Sequence, residues 1–216
     1  MIKAAFFDID GTLVDTNGFH VLAWDEAMRD EGVRIPSARI AEQIGKGADM
    51  LLPSLIPDLA PEVGKRIADR HGRIFARRYL HRAKPFASAK QLVERVARDG
   101  AKVILASSAQ KSEVDHYAAL LDIRRFLSGV VSAEDVQHSK PAGDIFAAAL
   151  QMVTPIEALD AIVIADTPYD VQSAAASHLR VIGVRSGGFS DHALDGAVAI
   201  CDNVKALLRE NALGSY

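Results

Sequence analysis

The sequence has very little cysteine and no long hydrophobic run. Cys201 is the only cysteine among 216 residues, so the chain cannot form an internal disulfide bond, which fits a reducing compartment. The first residues, MIKAAFFDID, reach an acidic residue too early for a secretory signal. No apolar run approaches the ~20 residues that a membrane helix requires. We therefore expect a cytoplasmic protein that does not act on membranes.

The sequence also lacks a strong excess of either charge. Its formal net charge is -3, which provides no broad basic surface for nucleic acid or anionic lipid. Hydrophobic residues at 49% and charged residues at 25% are ordinary for a globular protein whose chain can bury a substantial core. A small anionic partner would have to be held by a local site. The sequence does not indicate an oligomeric state.

Short apolar runs alternate with helical patterns along most of the chain. This alternation predicts βαβ units and a doubly wound parallel sheet, the α/β fold class. The predicted strands are residues 2–7, 102–106, 129–131, 161–165, 180–184 and, more weakly, 197–200. The predicted helices between them are residues 90–98, 113–121, 144–152, 169–176 and 204–213.

One region, from about residue 15 to residue 84, breaks this alternation. It contains helical patterns over residues 19–31 and 62–80, separated by several prolines, and no convincing strand. Such a length is too great for an ordinary connection between two strands. We expect a helical domain that is inserted just after the first strand.

Two acidic residues, Asp8 and Asp10, follow the first apolar run directly. In a parallel α/β sheet, ligands bind beyond the carboxyl ends of the strands. Residues two apart on an extended segment point the same way, so both carboxylates are expected to face one site. Gly11 then permits a sharp turn.

A second acidic group follows the fourth predicted core strand, where IVIADTPYD places Asp166 at the strand end and Asp170 near the start of a helix. Asp170 has a structural alternative, because aspartate is common as a helix N-cap. Two strands that both end in acids nevertheless predict a cluster that repels itself unless a cation or a substrate offsets its charge. Hard oxygen donors of this kind suit Mg²⁺.

Hydroxyl and ammonium groups complete the set. KVILASS ends in Ser107 and Ser108, and Lys140 precedes Pro141 in HSKPAGDIF. A serine at a strand end offers a hydroxyl and backbone donors, and a lysine offers a point charge that can hold a phosphate oxygen. Each feature alone is usually structural or solvated, but their order along the chain is specific.

These motifs resemble those of the haloacid dehalogenase (HAD) superfamily. DIDGTLVD at residues 8–15 is similar to its first motif, Ser107 to the second, Lys140 to the third and ADTPYD at residues 165–170 to the fourth. The resemblance implies a Rossmann-like core at residues 1–14 and 84–216, with a helical C1 cap at residues 15–83. Within the superfamily, the chain resembles the phosphoglycolate phosphatase and β-phosphoglucomutase-like subfamily.

The resemblance also implies roles for individual residues. Asp8 would be the nucleophile that forms an aspartyl-phosphate, and Asp10 the general acid and base. Mg²⁺ would be held by Asp8, the backbone carbonyl of Asp10 and Asp166, with support from Asp170. Ser107, Ser108 and Lys140 would hold the phosphoryl group.

The acid at position 10 favours phosphatases and phosphomutases, because dehalogenases and phosphonatases of the superfamily lack it and transport ATPases carry threonine there. DTPYD is similar to phosphatase versions of the fourth motif. We therefore expect a phosphatase acting on a small phosphorylated metabolite, similar to phosphoglycolate or a sugar phosphate. A sugar phosphomutase and a non-catalytic HAD-like binding protein remain alternatives.

Three residues of the helical insertion are candidates with equal or better structural explanations. His20 resembles a cap histidine that helps to position the general acid, and is equally well explained as a hydrogen-bonded residue near the hinge. Trp24 is more typical of a packed core than of a substrate platform. Lys46, between Gly45 and Gly47, resembles the position of a cap specificity loop and could contact substrate or solvent.

Overall fold

The structure, a computed structural model, describes residues 2–210. Its central sheet has six parallel strands, which confirms the predicted α/β class. In spatial order they are β5 (Gly129–Val131), β4 (Lys102–Ala106), β1 (Ala4–Phe7), β6 (Ala161–Ala165), β7 (Arg180–Val184) and β8 (Ala199–Cys201). All six strands agree closely with the predicted runs.

The central strands end at the same level because their register is aligned. Phe7 of β1 is paired with Leu105 of β4 on one side and with Ile164 of β6 on the other. The residues that follow these strands therefore meet at one edge of the sheet, which we call the carboxyl edge. The backbone NH of Asp8 extends the pairing by donating to Ile164 O at 3.0 Å.

Helices cover both faces of the sheet, as a doubly wound fold requires. Side chains alternate along β1, so Ala5 and Phe7 pack on one face while Ala4 and Phe6 pack on the other. The first face is covered by α5 (Ala89–Arg98), α6 (Lys111–Leu120) and α9 (Val204–Glu210), and the second by α7 (Asp144–Met152) and α8 (Pro168–Ala176). Residues 211–213 of the last predicted helix lie outside the described residues.

The helical segment at residues 15–84 has a hydrophobic cluster of its own. Its helices are α1 (Asn17–Asp30), α2 (Ser37–Ala41), α3 (Ala48–Leu55) and α4 (Pro61–Arg78). Trp24 and Met28 of α1 pack with Ile67 of α4, all three almost fully buried. Trp24 is therefore core, as predicted. Pro61 begins α4, where a missing backbone NH costs no helical hydrogen bond.

The chain enters and leaves this segment through a small antiparallel pair, β2 (Val14–Asp15) and β3 (Lys84–Pro85). Asp15 and Lys84 are direct partners in the pair. Neither strand was predicted, because two residues are too few to show an alternating pattern. Among residues 2–210, no helix combines the length and the apolar character needed to cross a bilayer.

Candidate active site

Three buried aspartates meet at the carboxyl edge. Asp8 follows β1, Asp166 follows β6 and Asp170 lies in the first turn of α8. One carboxylate oxygen from each lies within 4.8 Å of the others, and the residues are 5%, 0% and 0% exposed. The aligned register of β1 and β6 is what brings together residues more than 150 positions apart in the chain.

Lys140 supplies the positive charge beside these acids. Its Nζ is 2.5 Å from Asp8 Oδ1 and 2.5 Å from Asp170 Oδ1, and it also donates to Ala106 O at 3.1 Å. Burial lowers the pKa of the ammonium, but Asp170 and Asp8 outweigh it and hold that pKa above its ordinary value. Burial raises the pKa of Asp8 to about 7, although Lys140 acts in the opposite direction.

Two polar donors hold the Asp166 carboxylate in place, and two glycines leave room for it. Thr12 Oγ1 donates to its Oδ1 at 2.7 Å, and Asn17 Nδ2 donates to its Oδ2 at 3.0 Å. A Cβ atom at Gly11 or Gly187 would lie 2.2 Å or 1.7 Å from Asp166 Oδ2, so neither position accepts a larger residue without movement. Burial and the charges of neighbouring aspartates raise the pKa of Asp166 well above its ordinary value.

The two carboxylate oxygens of Asp170 have different surroundings, one at the start of α8 and the other in the acidic cluster. Its Oδ2 accepts hydrogen bonds from Thr167 N and Thr167 Oγ1 in a capping box at the start of α8. Thr167 is therefore the N-cap, and the alternative in which Asp170 itself is the cap is wrong. Oδ1 faces the Lys140 ammonium as an ion pair but accepts no hydrogen bond from the described residues.

This donor set fits a divalent cation. Three carboxylates converge in a buried place with one ammonium among them, and Asp170 Oδ1 retains an unused lone pair. Buried like charges are costly unless a cation offsets them, and hard oxygen donors are the ligands of hard cations. Asp8, Asp166 and Asp170 could hold such an ion.

The side chain of Asp10 is directed away from this group. Its Oδ1 accepts from Thr16 Oγ1 at 2.5 Å and lies 3.2 Å from His20 Nε2. Burial raises the pKa of Asp10, but the charge and hydrogen bond of His20, with that of Thr16, lower it below the usual range. The structure thus places Asp10 against the beginning of α1, and its carboxylate is not among the three convergent metal-ligand candidates.

His20 connects Asp10 to a second histidine. His20 Nδ1 is 3.3 Å from Nε2 of His71 on α4, and the His20 ring stacks on Phe75 with centroids 3.9 Å apart. Burial lowers the pKa of His20, but Asp10 outweighs it and raises the net value. Burial and the charge of His20 lower the pKa of His71 well below its ordinary value. These shifts favour a charged His20 that donates to both Asp10 and a neutral His71.

Ser107 and Ser108 follow β4 beside Asp8. Ser107 Oγ accepts from Ala109 N at 3.1 Å, which fixes the loop. Ser108 Oγ is buried and has no hydrogen-bond partner among residues 2–210. An unpaired buried hydroxyl at the mouth of a site is a ready donor or acceptor for a ligand.

A cavity of ≈ 360 Å³ lies between the carboxyl edge and the helical segment. This volume falls within the range of small-molecule sites, roughly 300–1,000 Å³. Groups that line it include Asp8, Asp10, His71, Ser108, Glu113 and Lys46. Lys140 does not line the cavity itself, but its ammonium contacts Asp8, which does, and Asp170.

A model of the haloacid dehalogenase-like hydrolase family matches residues 2–178. The chain belongs to this family. A crystal structure of a hydrolase from Pseudomonas syringae is similar to it with a TM-score of 0.92 and 25% identity, covering 99% of each chain. The predicted fold and the predicted hydrolase class are confirmed.

Curated relatives of this hydrolase differ in length and name. Protein SUPPRESSOR OF QUENCHING 1, chloroplastic, of Arabidopsis thaliana is 29% identical over 86% of this chain, which spans only 18% of that protein. Phosphoglycolate phosphatase of Photorhabdus laumondii is 26% identical over 65% of this chain and 62% of its own length. Fructose-1-phosphate phosphatase YqaB of Escherichia coli is 24% identical over 83% of this chain and 94% of its own length.

The Lys46 loop of this hydrolase packs directly on the core. A Cβ at Gly45 would lie 2.7 Å from the Thr167 side chain, and one at Gly47 would lie 2.6 Å from Ser139. Lys46 Nζ donates to Gln43 Oε1 at 2.7 Å and to Ser54 Oγ at 2.8 Å, and lies 4.4 Å from the Tyr169 ring centroid. Its donors are thus engaged within the protein.

A contact that we call the Ser139–Asp49 latch joins the same loop to the core. Ser139 Oγ donates to Asp49 Oδ1 at 2.5 Å, and Ser139 N donates to Asp49 Oδ2 at 3.0 Å. Gly47 N in turn donates to Ser139 Oγ at 2.9 Å. Three hydrogen bonds therefore hold the helical segment next to Lys140.

The fold brings to the site several residues that were not among the predicted candidates. They are Thr12 and Asn17, which hold Asp166, together with His71, Glu113 and Asp49. Thr12 and Asn17 lie within or next to the first motif, so their positions offered a signal. His71, Glu113 and Asp49 lie on helices whose orientation toward the cavity no local pattern reveals.

Proposed function

We propose that the protein is a Mg²⁺-dependent phosphatase that hydrolyses a small phosphomonoester through an aspartyl-phosphate on Asp8. The observation that carries this proposal is the position of Asp8, which faces the cavity while Lys140, Asp166 and Asp170 surround its carboxylate. Family membership supports the hydrolase class, and two relatives are named as phosphatases of small phosphorylated compounds.

In the first step, one oxygen of Asp8 attacks phosphorus in line, and the bond between phosphorus and the leaving oxygen breaks. Asp10, ionised while it accepts from His20 and Thr16, takes up a proton from solvent once it leaves them and gives that proton to the leaving alkoxide. To do so, the Asp10 carboxylate, which already lines the cavity, must release Thr16 and His20 and turn toward the leaving oxygen. In the second step, Asp10 takes a proton from water as that water attacks phosphorus, the bond to Asp8 breaks, and inorganic phosphate leaves.

Other residues hold the transferring group. Ser107 and Ser108 would contact phosphoryl oxygens, and Lys140 would keep Asp8 and Asp170 oriented while offsetting their charge. Mg²⁺, held by Asp8, Asp166 and Asp170 with the backbone carbonyl of Asp10, would neutralise charge that builds on the phosphoryl oxygens. His20 would hold Asp10 in its withdrawn position.

We also propose a division into a core, residues 1–14 and 84–216, and a cap, residues 15–83. The pairing of Asp15 with Lys84 supports this boundary, because the two crossings lie side by side and can bend together. Closing the cap would exclude water during reaction, and opening it would release the product.

The experiment is free-phosphate release from a panel of small phosphomonoesters, with Mg²⁺ and then with a chelator. The proposal expects release with Mg²⁺ and at least a hundredfold loss on chelation that added Mg²⁺ restores. Turnover that requires a bisphosphate activator and releases little phosphate would instead indicate a mutase. A folded protein that binds phosphorylated compounds without turnover would indicate a binding protein.

A further inference from the structure

We propose that the leaving group accepted by this cavity is neutral and rich in hydroxyl groups, not a carboxylate, and that Glu113 is a specificity-determining residue for it. This inference rests on the phosphatase function proposed above and concerns the part of the substrate that is not phosphate.

The first observation is the charge of the cavity lining. Of its Asp, Glu, Lys and Arg side chains within residues 2–210, five are acidic and one is basic: Asp8, Asp10, Asp49, Asp69, Glu113 and Lys46. The phosphoryl chemistry uses the first two. A second anionic group on the substrate would lie against a mostly acidic surface with few cations to bind it. Close like charges are unfavourable in a buried site.

The second observation concerns Lys46, the one lysine or arginine of that lining. An ammonium has three protons, and Lys46 directs hydrogen bonds to Gln43 and Ser54 while its charge lies over the Tyr169 ring. A substrate carboxylate would have to replace these contacts. His71, kept neutral, adds no charge, and the charge of His20, which also lines the cavity, is directed to Asp10.

The third observation is the carboxyl group of Glu113. This residue lies in the first turn of α6, is 6% exposed and lines the cavity, yet its side chain has no hydrogen-bond partner among the described residues. Asp49 and Asp69, by contrast, are already bonded to Ser139 and Lys65. A carboxyl group that faces the cavity without a partner in the protein is available to a ligand, and a ligand hydroxyl would bond to it whether the group is ionised or neutral.

Together these groups favour a leaving group that carries hydroxyls. Hydroxyls can donate to Glu113 and exchange hydrogen bonds with Gln110, which also lines the cavity three residues earlier. A carboxylate in the same place would face the Glu113 oxygens. Sites that are built to bond a hydroxyl discriminate strongly against analogues that leave their polar groups unpaired.

The test uses pairs of esters that differ only in CH₂OH against COO⁻. Suitable pairs are 2-hydroxyethyl phosphate with 2-phosphoglycolate, and glucose 1-phosphate with glucuronic acid 1-phosphate. We expect kcat/KM to be at least tenfold higher for the hydroxyl member of each pair. Equal values, or a preference for the carboxylate, would overturn the inference.

Variants identify the residue responsible. Glu113→Gln should reduce the preference within each pair several-fold, mainly by raising KM for the hydroxyl member, because it removes the repulsion and weakens the hydrogen bond. Glu157→Gln is the matched control, since Glu157 is exposed just before the short helical turn that leads into β6, at the opposite edge of the sheet. An unchanged preference in Glu113→Gln would remove Glu113 from this role.

p-Nitrophenyl phosphate separates this inference from the proposed function, because its leaving group has neither hydroxyl nor carboxylate. Release from it without any preference within the pairs would overturn the inference alone. Calorimetric binding of the same pairs to Asp8→Asn gives a readout without turnover. Hydroxyl-selective binding with no release by the wild type would contradict the phosphatase and support the cavity chemistry, whereas neither release nor selective binding would overturn both.

Discussion

Two parts of the site carry charge in different ways. The floor, which we define as the buried cluster of Asp8, Asp166, Asp170 and Lys140 at the carboxyl edge, consists of groups that are fixed by short contacts with one another and with the backbone. The side wall, formed by His20, His71 and Glu113, consists of helix side chains, one of which has no hydrogen-bond partner within residues 2–210. Preorganised charge suits bond breaking, whereas an unpaired group suits recognition of a ligand.

The difference suggests a division of roles within one site: the floor residues serve the reaction, and the wall residues serve the selection of substrate. Asp8 and Asp166 directly follow β1 and β6, the two most buried strands, and Lys140 contacts both Asp8 and Asp170, so a small displacement there would disturb all four residues. Wall residues belong to α1, α4 and α6, so their substitution changes local contacts without moving the sheet. Substitutions in the floor should therefore have larger effects than those in the wall.

The largest expected effect is on the nucleophile. Asp8→Asn should reduce phosphate release by at least about 10³-fold, because an amide cannot form the covalent intermediate. Folding should persist, since the change removes one member of a self-repelling cluster. Steady-state release and circular dichroism measure the two properties. Asp58→Asn, an exposed aspartate, is the matched control, and substantial residual activity in Asp8→Asn would contradict the role of Asp8.

The next effect is on the stability of the floor. Lys140→Met should lower the free energy of unfolding by about 3–5 kcal/mol, because it leaves Asp8 and Asp170 buried without their counter-charge. Urea denaturation with a chelator present measures the change, and Mg²⁺ should recover part of it. Lys3→Met, which breaks the exposed pair with Asp160, is the control and should be close to wild type. Equal stability of the two variants would contradict the claim that Lys140 offsets the buried charges of Asp8 and Asp170.

A third prediction concerns the pH dependence that Glu113 gives to stability. Burial raises its pKa from 4.5 to about 7, so the unfolded chain loses this proton before the folded protein does. The free energy of unfolding of the wild type should therefore fall as pH rises from about 4.5 to about 7, by up to about 3 kcal/mol from this group.

Glu113→Gln lacks this titration. Relative to wild type, its free energy of unfolding should be unchanged below pH 4.5 and higher by up to about 3 kcal/mol above pH 7. Denaturant titrations at pH 4.5, 6 and 8 measure the difference. A difference that does not vary with pH would show that Glu113 does not titrate in this range.

The smallest effect is expected from the Ser139–Asp49 latch. Ser139→Ala removes two hydrogen bonds and should cost about 1–2 kcal/mol. The backbone amide of Gly47 should then exchange with solvent faster, which hydrogen exchange can follow. Ser128→Ala is the control, because the Ser128 side chain has no hydrogen bond among the described residues. Unchanged exchange at Gly47 would show that the latch does not hold the loop.

The floor was far more predictable from sequence than the wall. Asp8 and Asp166 each follow a run of buried apolar residues, and the parallel arrangement brings all such strand ends to one edge. His71 and Glu113 have no comparable signal, because their direction depends on how α4 and α6 pack against other helices. Lys46 shows the same limit, since its loop was recognised but its partners Gln43, Ser54 and Tyr169 follow from packing alone.

The most direct test of the central claim is to trap the phosphoryl group on Asp8. In Asp10→Asn, p-nitrophenyl phosphate should still transfer its phosphoryl group, because p-nitrophenolate leaves without a proton, while loss of the base slows the second step. With Mg²⁺ present, acid quenching followed by peptide mass spectrometry should find a hydroxylamine-sensitive phosphoryl group on Asp8, with a burst of one p-nitrophenolate per active site. Turnover by the wild type without a burst or a labelled Asp8 in this variant would contradict covalent catalysis by Asp8.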